Sequence, residues 1–581
     1  MNMVNLRIND IPVSVKVGST ILEAARELDI KIPTLCYLKD INAIGACRMC
    51  VVEVKGVRNL ATACVYPVTE GMEVSTNTER IFKSRKTNLE LVLSTHNRRC
   101  LSCVRSGDCE LQRLCKEYGI EDETYYRGEN IKHIYDESST HMVRDNSRCI
   151  VCRRCVAACS KSQAVAVIGA NERGFNTHIG CAFDAGLGEV ECISCGQCII
   201  VCPVGAIYEK DDTDKVWAAL NDPKKHVVVQ TAPSIRAALG EEFGMPIGTN
   251  VEGKMVAALR RMGFKNIFDT DVSADFTIME EATEFIYRFT NNKTLPLITS
   301  CSPGWVEYCE SFYPEFIPNL SSCKSPQQML GALIKTYYAK EKGIDPKDIY
   351  MVTIMPCTAK KFEVKRTESN AVEGVFDCDV SITTRELARM IKRAGINFTS
   401  LEDEPFDNPF GESTGAGDIF GRTGGVMEAA LRTAVEWVSG SPVEKLEFEE
   451  IRGTQGIKKA TYKVGEHEIN VAVVSGLVNA SKILEDIKAG KNDFHFIEVM
   501  ACAGGCVNGG GQPIQPAEVR ETVDIRSLRA SALNNQDKSK KLRRSHESPF
   551  VKKVYKEFLG EPGGEVAHHI LHTHYTKRER Y

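Results

Sequence analysis

The stretch Met500-Ala501-Cys502-Ala503-Gly504-Gly505-Cys506-Val507-Asn508-Gly509-Gly510-Gly511-Gln512-Pro513 sets the terms for the whole chain. It follows an apolar run at 494–499 that reads as a buried strand. Two cysteines stand four apart among small residues, and three consecutive glycines follow. Such a run is costly in backbone entropy, so it marks a place where backbone comes close to something bulky. Two thiols beside it suggest that the bulky thing is inorganic.

The rest of the composition narrows the class. A chain of 581 residues predicts several domains. Apolar content of 43% and charged content of 26% suit an ordinary globular protein. A net charge of −4 gives no reason to expect nucleic acid or an anionic membrane as partner. No run of 18 apolar residues offers a membrane span, and the N-terminus has no basic flank and apolar stretch of a secretory signal. The expected location is therefore cytoplasmic. In that setting 24 cysteines, clustered as CxxC, read as metal ligands rather than disulfides.

Residues 1–78 read as a small β-rich domain, with a hairpin at 4–8 and 13–17 and a helix capped by Thr20 and Glu23. Cys36, Cys47, Cys50 and Cys64, spaced C-x10-C-x2-C-x13-C, resemble a plant-type [2Fe–2S] loop with altered gaps. A structural zinc site is the alternative. Residues 79–118 hold His96, Cys100, Cys103 and Cys109, spaced H-x3-C-x2-C-x5-C; Cys115 lies outside the set. One imidazole and three thiolates suit a [4Fe–4S] cluster or zinc, and spacing alone leaves both open.

Residues 139–209 carry the most specific pattern. Cys149, Cys152, Cys155 and Cys159 form C-x2-C-x2-C-x3-C; Cys192, Cys195, Cys198 and Cys202 repeat it, with Pro203 following. This is the bacterial two-cluster ferredoxin run, in which the fourth cysteine of each run serves the other cluster. One cubane is therefore assigned Cys149, Cys152, Cys155 and Cys202, and the other Cys192, Cys195, Cys198 and Cys159. Cys181 is read as a bystander. Successive clusters without an open position make a wire for single electrons.

From about residue 210 the pattern becomes alternating α/β, with strands expected at 227–230, 266–269, 295–298, 350–354, 469–474 and 494–499. Helices are expected at 252–263, after Thr383 (capped with Glu386) and at 426–434. Cys301, Cys357, Cys502 and Cys506 fall just after strands, where open α/β sheets place their ligands. The glycines at 415–425 have the wrong spacing for a dinucleotide fingerprint and read as close packing; no P-loop occurs. The basic run 538–544 reads as a solvated helix face. His568, His569, His572 and His574 read as part of a tail helix, with no cysteine beside them in sequence.

Three segments then carry a family resemblance. Thr299-Ser300-Cys301-Ser302-Pro303-Gly304-Trp305, Met355–Glu363 (Met-Pro-Cys-Thr-Ala-Lys-Lys-Phe-Glu) and Glu498–Pro513 resemble the three signatures of the [FeFe]-hydrogenases. The likeness spans essentially the whole chain, including accessory modules like those of the long clostridial enzymes and of NAD(P)-linked multimeric hydrogenases. It implies a multidomain α/β and α+β protein. Residues 1–78 would be a plant-type [2Fe–2S] ferredoxin domain, 79–118 a one-His, three-Cys [4Fe–4S] domain and 139–209 a bacterial two-[4Fe–4S] ferredoxin domain. Residues 210–535 would be a large α/β catalytic domain, with a helical tail at 536–581 packed on it. The His96 site also resembles that of the large iron–sulfur subunit of respiratory complex I, which favours iron–sulfur there.

The resemblance implies one [2Fe–2S] cluster, three accessory [4Fe–4S] clusters and an H-cluster. The last is a cubane joined through a cysteine sulfur to a two-iron unit with CO, cyanide and an azadithiolate bridge. Cys357, Cys502 and Cys506 match three of its ligands, Cys506 the bridging one. The family usually has a second cysteine where this chain has Ser302; Ser302, Cys301 or Cys323 remain the candidates for the fourth ligand. Cys301 matches the proton-exchanging cysteine, and Glu281, Ser321, Glu284 and Arg288 match the relay to solvent. Lys360 matches a cyanide contact, Met355 and Met500 line the two-iron unit, and Ser234 and Gln327 support the site. The implied reaction is reversible conversion of H2 to protons and electrons, with ferredoxin or a flavin- and NAD(P)-binding subunit as electron partner. A hydrogen sensor or electron-transfer scaffold with a degenerate site is the other class.

Overall fold

The computed structural model describes residues 2–579 apart from 122–125, 127–133, 367, 369, 442–445 and 465–466. The N-terminal module is a five-stranded sheet. Met3–Ile8 pairs antiparallel with Ile11–Lys16, as the alternation of Val4, Leu6 and Ile8 toward the core requires. Helix Ile21–Arg26 carries the expected Thr20–Glu23 capping box. Thr78 caps helix Glu79–Leu93, which opens the next module. The third module pairs Tyr135–Asp136, Met142–Asp145 and Ile207–Glu209 in an antiparallel sheet. These modules are not beads on a string. Leu35 and Met49, Leu89 and Leu111, and Cys202 and Val204 bury into one shared apolar cluster.

The large domain is built on two four-stranded sheets rather than one list of strands. In the first, Asn266–Asp269, His226–Thr231, Ile349–Met355 and Val380–Thr383 are all parallel. In the second, Leu297–Ile298, Phe496–Met500 and His467–Ser475 are parallel, and Ile457–Val464 closes the edge antiparallel. Both faces of the parallel strands are covered by helices, so their sequences are apolar runs with little alternation. Val380–Thr383 and Ile457–Val464 were not among the expected strands: the first is short and half polar, the second Lys-rich at an edge. Helix Thr270–Thr290 runs through the domain and buries Glu280 and Glu281.

Two expectations need correction. The basic run at 538–544 is not a helix face. Helix Ile525–Ser539 takes in only its first two residues, and beyond the helix Lys540 pairs with Asp418 while Arg543 pairs with Asp537 and Glu447. The same helix crosses residues 535 and 536, so a unit boundary there cuts a continuous element. The tail that follows is helical at Pro549–Val554 and Glu565–Leu571 and packs on Thr270–Thr290 through Tyr555 and His572. The glycines at 415–425 do serve close packing: a Cβ on Gly425 would sit 1.7 Å from Ile419 O. Among the described residues no helix is long and apolar enough to cross a membrane.

Candidate active site

The accessory thiols gather as sets. Cys36 shares a hydrogen bond with Cys47, and Cys50 with Cys64; the bond pulls Cys47 down to about 6 while its partner is pushed up. His96 is held down at about 4, first by burial and then by Arg148 and Arg98, so its imidazole is neutral and ligand-competent. Its Nδ1 is buried without a hydrogen-bond partner. Cys103 and Cys109 both lie against the dicluster module, at Gly205 and Pro203 O.

The two ferredoxin runs repeat in backbone as well as spacing. Val151 and Arg153 in the first run have positive φ (53° and 60°), and so do Ser194 and Gly196 in the second (56° and 67°). Non-glycine residues enter that region only when the surroundings demand it. Here it turns successive N–H groups inward, the concavity in which proteins hold anionic iron–sulfur groups; Val151 N donates to Cys149 Sγ at 3.3 Å. The fourth cysteine of each run lies near the other run's first three. Cys159 lines one cavity with Cys192, Cys195 and Cys198. Cys149, Cys152 and Cys155 are pushed up first by burial, and the charge of Cys202 adds to each.

The catalytic-domain residues meet at a cavity of about 80 Å³. Much of its wall is made where strands end: 232–234 after His226–Thr231, 301–304 after Leu297–Ile298, residues from Met355 to Lys360 at the end of Ile349–Met355 and from Met500 to Gly509 at the end of Phe496–Met500. Cys301, Ser302, Cys357, Cys502 and Cys506 all line it, with Met355 and Met500. Burial pushes each of the four thiols up, Cys506 to about 12, and the charges of Cys357, Cys502 and Cys506 add to the shifts of their neighbours. Desolvated soft donors facing an apolar room suit a metal–sulfur group. Ser234, which also faces the room, is fully buried and its Oγ has no partner. Ser302 Oγ accepts from Ala501 N at 3.3 Å. Cys323 is elsewhere, with its Sγ 3.9 Å from Glu284 Oε2.

Of the residues expected to relay protons, Ser321, Glu284 and Arg288 are joined by hydrogen bonds. Glu281 is buried and pushed up to about 8, first by burial and then by Glu284, with a bond from Ser321 opposing; its Oε2 has no partner. Its charge is in turn felt at the Cys301 thiol. Ser321 Oγ donates to Glu284 Oε2 at 3.0 Å, and Arg288 Nη2 donates to Glu284 Oε1 at 2.5 Å.

Comparison with known proteins agrees module by module. Residues 225–510 match the family described as "Iron only hydrogenase large subunit, C-terminal domain", and residues 523–578 match "Iron hydrogenase small subunit". The chain is 48% identical to NADP-reducing hydrogenase subunit HndD of Solidesulfovibrio fructosivorans, over 100% of both chains. It belongs to the iron-only hydrogenase family. Iron hydrogenase 1 of Clostridium pasteurianum is 44% identical over 99% of this chain and 100% of its own. The solved [FeFe]-hydrogenase HydA1 of Chlamydomonas reinhardtii, a variant, is 40% identical with a TM-score of 0.57, over 63% of this chain and 99% of that one. The front modules match a 2Fe-2S iron-sulfur cluster binding domain (1–79), the NADH-ubiquinone oxidoreductase-G iron-sulfur binding region (85–124) and a 4Fe-4S dicluster domain (148–207). Iron–sulfur therefore replaces zinc for the first two. The chain is an iron–sulfur oxidoreductase of hydrogen.

Within this hydrogenase fold Glu363, Ser325 and Gln197 escaped the sequence reading. Gln327, expected to support the site, lines the cavity and bonds through its amide to Glu363 Oε2 at 2.8 Å and Thr353 Oγ1 at 2.7 Å. Glu363 in turn holds Lys360 Nζ at 2.8 Å, and Ser325 holds both. Gln197 Nε2 lies 3.1 Å from Cys502 Sγ, so the dicluster module touches a cavity thiol directly. The glycine run also has close protein neighbours. A Cβ on Gly510 would sit 2.3 Å from Cys195 O, and one on Gly509 2.3 Å from Pro356 O. These glycines admit the backbone of the second signature and of the neighbouring module, and Gly505 and Gly509 also border the cavity. Only Glu363, inside the second signature, carried a signal in the sequence.

Proposed function

We propose that this chain interconverts H2 with two protons and two electrons at an H-cluster that Cys357, Cys502 and Cys506 would hold. The observation that carries the reading is the meeting of these thiols with Cys301 and Ser302 at strand ends around one buried cavity. When bound, the group supplies the metal site at which H2 is split or formed. Ser302 serves as fourth donor: it lines the cavity, and the Ala501 N–H it accepts favours the ionised oxygen. Cys301 is committed to protons, and Cys323 faces Glu284 instead.

Cys301 passes its proton to Glu281, and Ser321, Glu284 and Arg288 carry it outward. Glu281 holds a proton below about pH 8 and can therefore donate as well as accept. Ser234 Oγ and Lys360 Nζ supply donors toward anionic ligands of the group. The 3.3 Å bond from Lys360 to Cys301 O is its weakest and the one to yield. Met355 and Met500 keep water out.

Cys195, at the cavity wall, begins the electron path. It runs from the set of Cys159, Cys192, Cys195 and Cys198 to that of Cys149, Cys152, Cys155 and Cys202. Beyond these lie His96 with Cys100, Cys103 and Cys109, and the [2Fe–2S] set of Cys36, Cys47, Cys50 and Cys64. The partner is a flavin- and NAD(P)-binding subunit rather than ferredoxin alone. The full-length likeness to a subunit named as NADP-reducing supports this. Infrared spectra of the anaerobic protein test the cofactor: CO and cyanide bands are expected, with about 20 irons per chain. Absence of H2 uptake with an artificial acceptor, after maturation with a synthetic two-iron cofactor, would instead make the chain a sensor or scaffold.

A further inference from the structure

One histidine of the dicluster module faces a cysteine of the set nearest the catalytic cavity. His141 directly precedes strand Met142–Asp145, and Lys210 N donates to its carbonyl at 3.0 Å, one rung beyond the pairing of Met142 with Glu209. The Lys210 side chain holds the turn before it, donating from Nζ to Glu137 O at 3.0 Å and to Ser139 O at 3.4 Å. The sheet and the turn together fix where the imidazole projects. His141 is 2% exposed and borders the cavity that Cys159, Cys192, Cys195 and Cys198 line, with Nε2 3.8 Å from Cys192 Sγ.

The turn also decides which ring nitrogen carries the hydrogen. Ser139 Oγ accepts the His141 backbone N–H at 3.3 Å and lies 2.5 Å from Nδ1. Among the described residues the serine hydroxyl has no other acceptor, so it donates to Nδ1. The ring hydrogen is then on Nε2, the nitrogen aimed at sulfur. Among the described residues no other cysteine of the two runs takes a side-chain N–H on its sulfur; Cys149 takes a backbone one, from Val151. Arg144 borders the same cavity, but its guanidinium is paired with Asp136 at 3.1 Å, which balances its charge.

We propose that His141 raises the reduction potential of the cubane assigned to Cys159, Cys192, Cys195 and Cys198, by donating Nε2–H to Cys192 Sγ, and so holds an electron beside the catalytic cavity. Reduction adds negative charge that the thiolate sulfurs share, and a donor on one of them stabilises the reduced form. The set of Cys149, Cys152, Cys155 and Cys202 gains no such side-chain donor. One electron leaves that outer set, which is oxidised, and reduces the inner one; no proton moves. His141 acts through Cys192 and touches no reacting atom, so it is a positioning residue. The proposal rests on the two ligand sets given above for the dicluster module, not on the chemistry at the catalytic cavity.

The test is a redox titration of the matured full chain, followed by electron paramagnetic resonance, in wild type, His141→Leu, His141→Gln and Ser139→Ala. His141→Leu removes the donor. At a fixed potential the reduced-to-oxidised ratio of one cubane is expected to fall about tenfold, which is about 59 mV for one electron, while the other clusters stay in place. His141→Gln keeps an N–H and is expected to recover most of the loss. Ser139→Ala frees the tautomer and is expected to fall between. Exchange of wild type into D2O should change a proton coupling of that same cubane, a coupling missing from His141→Leu. Equal potentials in wild type and His141→Leu, with every cluster signal present, overturn the proposal. Equal losses in His141→Leu and His141→Gln also overturn it, because they make the residue a packing group. Should the leucine protein not fold, Ser139→Ala and the D2O experiment decide, and an unchanged potential with no exchangeable coupling overturns the proposal. Fewer than two cubane signals from the dicluster module in wild type overturn the ligand sets, and the proposal with them.

Discussion

In the dicluster module, three cysteines of the proposed set, Cys149, Cys152 and Cys155, come from one short segment that runs into helix Arg154–Ala157, and Cys202 arrives from elsewhere. In the catalytic cavity, Cys357 follows a strand of one sheet and Cys502 and Cys506 follow a strand of the other. The first kind of site is written in local backbone, down to the matched positive φ at Arg153 and Gly196. The second exists only when two sheets are correctly placed. The difference should show when single ligands are removed. Cys506→Ser is expected to abolish H2 turnover and the CO and cyanide bands while leaving the accessory clusters' paramagnetic signals intact. The loss should exceed the tenfold to hundredfold typical of groups behind the ligands. Cys198→Ser should do the reverse, keeping the infrared bands and cutting electron delivery to the acceptor. Both variants losing both signals would mean that the two sites are one cooperative unit.

Smaller effects probe the cavity from its two sides. Glu281→Gln keeps shape and removes the transferable proton, so turnover should fall by about 10²–10⁴ with unchanged infrared bands. Changed bands would make Glu281 a packing residue. Ser302→Ala should lower cubane iron and turnover by about tenfold to a hundredfold, and Ser302→Cys should restore the iron. Full iron in Ser302→Ala would remove Ser302 from the donor set.

The same contrast decides what could be read from sequence. The ferredoxin runs, the Thr20 and Thr383 capping boxes and the apolar parallel strands are local signals, and the structure has all of them. The split into two sheets was not legible, because the order of parallel strands is set by helix packing far from any one strand. Nor was the bond that ties Gln327 to Glu363, because the two residues come from different segments. The tail histidines show the limit best: no cysteine is near His572 in sequence, yet Cys323 bridges it in space.

The seam between the two kinds of site is also testable. Gly510→Ala would force a Cβ against the backbone of Cys195 and Gly196, with nothing flexible to give way. Overpacking of this sort is expected to cost about 1–3 kcal/mol, visible as a lower melting temperature. Because Cys195 borders the cavity, acceptor-coupled H2 oxidation should fall more than hydrogen–deuterium exchange, which needs no electron to leave. Equal losses would place the damage in the cavity and not in the seam.

The smallest effect expected is on pH-dependent stability. Burial raises the Glu281 carboxyl to about 8, so in the folded chain it is a neutral acid across a range where the unfolded chain has lost the proton. Unfolding in that range releases a proton, and stability therefore falls as pH rises from the ordinary carboxylate range toward about 8. Glu281→Gln has no proton to release. Its melting temperature should fall less steeply than that of wild type between pH 5 and pH 8, by a margin of order 1 kcal/mol per unit at most. Arg288, bonded to Glu284 one helical turn along, opposes the shift, so Arg288→Gln should steepen the wild-type slope. Identical slopes in all three proteins would mean that Glu281 is ionised in the fold. It would then accept protons from Cys301 but hold none to return, and the relay would favour H2 oxidation over proton reduction.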